Sequence, residues 1–147
     1  MAVTTLGDYH PLYLAGVQFF NAGDYFEAHE AWEELWQETA GPDRRFYQGL
    51  IQTAVGLLHF CNGNLRGALS LYRSSQDYLR PFQPQYLGVN LAAFSEQLAA
   101  CFAALLSSSA LTDSIEFPAN LAPVIELFPP PPVWPTDPYA LLPNSDH

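Results

Sequence analysis

The feature that most constrains this chain is a tight helix-to-helix corner written twice. Phe20, Gly23, Asp24, Ala28 and Trp32 are matched 40 positions later by Phe60, Gly63, Asn64, Ala68 and Tyr72. Each set reads as a helix end, a glycine able to take the left-handed conformation that closes a helix, and a capping residue that opens the next helix. At the first corner Asp24 and Glu27 have the spacing of a capping box. Two stacked helical hairpins would carry this pattern, and so would two unrelated hairpins that share only their turn chemistry.

Around the corners the apolar spacing is helical. Tyr13, Leu14, Val17 and Phe20 mark a first helix over His10 to Phe20, and Tyr25, Ala28, Trp32, Leu35 and Trp36 a second, from Tyr25 to about Glu38. Gly41-Pro42-Asp43 breaks the chain and caps a third helix, from about Arg44 to Cys61. Asn64 caps a fourth over Leu65 to Leu79, stopped by Pro81 and Pro84, and Asn90 caps a fifth. The expected fold is therefore all-α: a helical bundle of about five helices, two antiparallel hairpins plus a closing helix, over residues 1–109. Residues 110–147 differ. Nine of the 13 prolines lie between Pro118 and Pro143, interleaved with Val124, Ile125, Leu127, Val133 and Trp134. That composition predicts an extended proline-rich strap, too apolar for a solvated tail, packed on the bundle or on a second subunit. A proline-rich ligand for an aromatic-lined groove is the functional alternative for this stretch.

Charge narrows the function classes. Fifteen Asp and Glu against five Arg, with no Lys, give a formal net charge of −10. Such a chain repels phosphate backbones and anionic lipid, so neither nucleic acid nor membrane is an expected partner. Cys61 and Cys101 sit in apolar helical patterns, which suits a reducing compartment, and the N-terminus lacks the basic and apolar regions of a signal peptide. The expected location is cytoplasmic. An aromatic content of 14% together with the apolar strap predicts a homodimer.

Two sets of polar residues carry the chemistry that the sequence offers. On the second helix His29 falls inside the aromatic stripe, Glu33 is its i,i+4 neighbour, and Glu30 points further out. His29-Glu30-Ala31-Trp32-Glu33 resembles a zincin helix whose second histidine has become a carboxylate. On the third helix Arg45, Gln48, Gln52 and His59 fall on one line, at i, i+3, i+7 and i+14, bordered by Gly49 and Gly56. If the two helices pack side by side, Arg45 meets Glu33 while Gln52 and His59 approach His29. The candidate polar site is then His29, Glu30, Glu33, Arg45, Gln48, Gln52 and His59. It is read first as a structural, hydrogen-bonded cluster with no cofactor; the alternative is a divalent metal on His29, Glu33 and His59. Gly-rich phosphate loops, Gly-x-Ser-x-Gly elbows, Cys-x-x-Cys pairs and paired Glu-x-x-His motifs are absent.

At these residues the chain resembles a small prokaryotic family catalogued as domain of unknown function 309. The resemblance is carried by Phe20 to Glu33, Trp36, Arg45, Gln48 to Gln52, His59, Gly63-Asn64 and Gly67-Ala68, and spans about Leu14 to Leu79. It implies an all-helical bundle and brings no activity with it. With no complete catalytic constellation in view, the expected function is a non-catalytic protein-binding or scaffolding module. The alternative is a small, metal-dependent enzyme with its site between helices two and three.

Overall fold

A computed structural model describes residues 8–108, 111 and 115–143. Its helices are α1 (Pro11–Asn21), α2 (Tyr25–Gln37), α3 (Pro42–Cys61), α4 (Leu65–Leu79), α5 (Leu91–Cys101) and the short α6 (Ala103–Ser107). The molecule is all-α apart from a two-residue antiparallel ladder, β1 (Gln85–Tyr86) on β2 (Val89–Asn90), with Tyr86 opposite Val89. Along the bundle α1 packs on α2, α2 on α3 and α3 on α4, so sequence neighbours are space neighbours.

Both corners close with the same backbone bonds. Asp24 N–H donates to the Phe19 carbonyl at 2.8 Å and Asn64 N–H to the His59 carbonyl at 2.8 Å. Gly23 and Gly63 donate to Phe20 and Phe60, with φ of 83° and 80°. These bonds satisfy helix-end carbonyls that would otherwise lack partners. The match extends inward to Gly16 and Gly56. A Cβ on Gly16 would fall inside the Trp32 indole, and one on Gly56 would touch the α4 backbone at the Ala68 carbonyl, 3.4 Å away.

The side-chain caps differ from expectation at one corner. His10 Nδ1 accepts from Leu12 N–H, Asn64 from Gly67 N–H and Asn90 from Ala93 N–H. Asp24 makes no side-chain cap bond, so the capping box with Glu27 does not form. Its reciprocal half has no donor, because the Asp24 N–H is already committed to Phe19. Two carboxylates on one turn also repel.

The core is aromatic. Trp32, Tyr13, Phe20, Phe46, Phe60, Phe94 and Phe102 are sealed from solvent, and the Trp32 indole N–H donates to the Tyr13 carbonyl at 3.2 Å. The segment 115–143 is extended except for two 3-10 turns, and it lies along this same bundle. Asn21 clasps Ile125 at both its N–H and its carbonyl, each at 2.8 Å; Phe128 N–H donates to Gly88, and the Gln18 amide to Pro135. Ile125, Leu127 and Leu142 complete the core.

Candidate functional site

Among the described residues, His29 and Glu33 are the one pair of the seven polar residues singled out by spacing that an ion pair or hydrogen bond joins. His29 is partly buried on α2, where its Nε2 lies 3.5 Å from the exposed Glu33 carboxylate and its Nδ1 3.3 Å from the Phe26 carbonyl. A helical i,i+4 pair at the surface contributes about 0.3–0.5 kcal/mol. Glu30 is partly exposed on the same helix. His59 sits at the far end of α3, where its Nδ1 is 3.2 Å from the Asn64 side-chain amide and steadies that cap. Gln52 has its carbonyl oxygen buried without a hydrogen-bond partner among the described residues. Among the described residues no hydrogen bond or ion pair joins Arg45 to Glu33, or Gln52 or His59 to His29. Among the described residues no three His, Cys, Asp or Glu side chains are placed to hold a metal ion, so His29, Glu33 and His59 do not assemble a ligand set.

At the start of this line on α3, Arg45 turns to α4. Arg45 spreads its guanidinium over the Tyr78 ring of α4, 4.3 Å from the centroid. Arg44 lies over Trp36 of α2 at 3.8 Å and donates from Nε to the Trp36 carbonyl at 3.3 Å. Together with Gln48 and Gly41 these side chains line an open cleft of about 380 Å³ at the junction of α2, α3 and α4. Stacking on an aromatic face leaves guanidinium N–H groups at the edge available, on Arg44 those other than the Nε–H held by Trp36. Neither guanidinium lies within ion-pair distance of a carboxylate among the described residues. Asp43, the acidic residue in the first turn of α3, is engaged elsewhere: it accepts from the Tyr86 hydroxyl, which, after burial, helps push that phenol up to about 12.

Arg45 and Gln48 were thus found by their spacing, whereas Arg44, Trp36 and Tyr78 were not assigned to a site. Arg44-Arg45 is the chain's one pair of adjacent basic residues, a usable signal against its acidic background. Tyr78 left none, since its approach depends on how α4 returns along α3.

The two cysteines are free. Burial and the neighbouring Cys61 push the Cys101 thiol up to about 12, and burial also raises Cys61. A thiol held protonated is a poor nucleophile.

The fold defines an all-α helical-hairpin protein. Comparison with known proteins finds a family likeness over part of the chain and leaves the activity open. The model of a family described as Domain of unknown function (DUF309) matches residues 13–71, both corners included, and over that segment the chain resembles the family. It is 43% identical over 60 residues to "Uncharacterized protein YpuF" of Bacillus subtilis (strain 168), covering 40% of this chain and 34% of that one. It is 29% identical over 73 residues to an "Uncharacterized protein" of Aquifex aeolicus (strain VF5), covering 49% of this chain and 22% of that one. The chain spans about a third or less of the length of these curated relatives. Tyr78 and the strap lie outside the matched segment.

Proposed function

We propose that this chain is a non-catalytic protein-contact module whose working surface is the strap and the edge of α1 beneath it, and that its first partner is a second copy. One observation carries the reading. Of the nine large hydrophobic side chains exposed on the described residues, seven lie between Leu121 and Leu141: Leu121, Val124, Phe128, Val133, Trp134, Tyr139 and Leu141. Phe128 is 78% exposed and Val133 72%. Such a concentration of exposed apolar side chains on one segment marks a contact face. Beside it Tyr9, Pro11, Leu14 and the strap line a cleft of about 470 Å³, able to receive a protruding aromatic ring.

The net charge of −10 opposes association of two copies, but the face itself avoids that repulsion. Between Leu121 and Leu141 the strap carries two charged residues, Glu126 and Asp137, with Asp24 and Glu27 near Tyr139, so copies meeting here bring few like charges together. No described helix is long and apolar enough to cross a membrane. We extend the proposal to a cytoplasmic location on the strength of the two unpaired cysteines.

The test is light scattering coupled to size exclusion at micromolar to high-micromolar concentration, on the wild type and on the double variant Phe128→Asp, Val133→Asp. Both side chains are solvated in the monomer, so the variant folds with an unchanged circular dichroism spectrum. The expected result is a concentration-dependent dimer for the wild type and a monomer for the variant. A wild type that stays monomeric throughout contradicts self-association through the strap.

A further inference from the structure

Independently of the strap, we propose that the cleft at the junction of α2, α3 and α4 binds a small dianionic phosphate monoester. Four observations point there. Two of the chain's five arginines, Arg44 and Arg45, line it, on a protein whose net charge is −10. Their guanidinium carbons lie over the Trp36 and Tyr78 rings, at 3.8 and 4.3 Å from the centroids. Among the described residues no carboxylate lines the cleft, although acidic residues outnumber basic ones threefold in the chain. Gln48, one turn along α3 from Arg44, adds an amide that donates to an oxyanion.

Charge selects the ligand. Two guanidinium groups match the two negative charges of a phosphate monoester, whereas a single carboxylate leaves one cation uncompensated. The surrounding acidic surface excludes a long polyanion and leaves room for a compact one. Both aromatic faces are occupied by the arginines, so the site recognises the phosphate and makes no demand for a stacked base. The other ionised groups at these ends of the helices are occupied: Glu38 faces His10 at 3.9 Å, Asp43 accepts from Tyr86, and Asp77 pairs with Arg80 at 3.0 Å.

A phosphate monoester gains its second charge near pH 6. Binding should therefore strengthen as pH rises from about 5 to 7.5.

The experiment is calorimetric and NMR titration of the full chain at low salt. The probes are inorganic phosphate, glycerol phosphate and a phosphoserine peptide, with succinate and the unphosphorylated peptide as controls. The variants are Arg44→Gln and Arg45→Gln, both at exposed side chains, with folding checked by thermal melts. The expected result is saturable binding of a phosphate probe, weakened about tenfold or more by either substitution, since each removes a charge-assisted hydrogen bond. Equal binding of all three phosphates assigns a free phosphate group as sufficient, and preference for glycerol phosphate or for the peptide assigns the ester that carries it. The proposal is overturned if no phosphate binds at millimolar concentration, if succinate binds as well, or if both variants retain wild-type affinity.

Discussion

The two corners share a backbone and differ in the side chains that cap the helix after the turn. At the second corner Asn64 holds Gly67 N–H with its carbonyl oxygen and reaches His59 with its amide. With Asn64 turned toward His59, a Cβ at residue 67 would stand 2.6 Å from its amide nitrogen, whereas Asn90 makes the same cap on Ala93. At the first corner the equivalent residue is Glu27, which has a Cβ and a negative charge, and Asp24 makes no cap. The corner itself is unchanged, because backbone bonds to Phe19 and Phe20 make it. Glycine and main-chain bonding therefore set this turn, and the side-chain cap is an addition that one hairpin uses and the other lacks.

The hairpins also differ in how closely their helices approach. Gly16 is filled by the indole of Trp32, which has no exposed surface, while Gly56 meets α4 at ordinary van der Waals distance. In the second hairpin Tyr72, the counterpart of Trp32, is only partly buried and stacks on Phe102 at 4.6 Å. The first hairpin is locked around an aromatic ring; the second leaves its ring to be covered by Phe102, at the end of α5.

The sharpest way to break this comparison is Gly16→Ala beside Gly56→Ala. At residue 16 the new methyl displaces a sealed indole, and overpacking of this kind costs about 1–3 kcal/mol or more. At residue 56 the methyl fits, and relief of the helical glycine offsets any crowding, leaving stability within about 1 kcal/mol of wild type. Urea unfolding of the two variants reads the difference. Equal losses would show that the two hairpins are packed alike.

A smaller effect separates the caps. Asn64→Ala should lower stability by about 1 kcal/mol, the usual cost of losing an N-cap, whereas Asp24→Ala should change it by less than half that amount, roughly the scatter of surface substitutions. Thermal melts of the pair measure this directly. A larger loss for Asp24→Ala would mean that the first corner relies on a cap after all.

Much of this architecture was legible in the sequence. The limits of α4, the corner glycines and the caps at Asn64 and Asn90 follow from local chemistry, which acts within a few residues and leaves a fixed spacing. The candidate site was legible only in part. A helical wheel puts Arg45, Gln48, Gln52 and His59 on one side of α3, and the structure keeps them there. It does not say which helix covers that side, and α4 covers Arg45 where α2 was expected. Arg44 adds a cation from the adjoining face, through contacts with Trp36 that depend on how α2 ends. The strap's apolar character was evident from composition, while its anchors at Asn21, Gly88 and Gln18 are contacts more than 35 residues distant that no local pattern records.

The central claim, that the strap is a contact face for a second copy, is tested most directly by hydrogen–deuterium exchange at two protein concentrations an order of magnitude apart. Amides of Val133, Trp134, Thr136 and Tyr139 lie on the exposed strap, whereas Trp32 and Leu50 are sealed in the core at any concentration. Protection of the strap amides that rises with concentration, while the core amides stay constant, is the predicted result. Strap exchange that is identical at both concentrations, with dimers present in solution, would place the interface elsewhere and contradict the account.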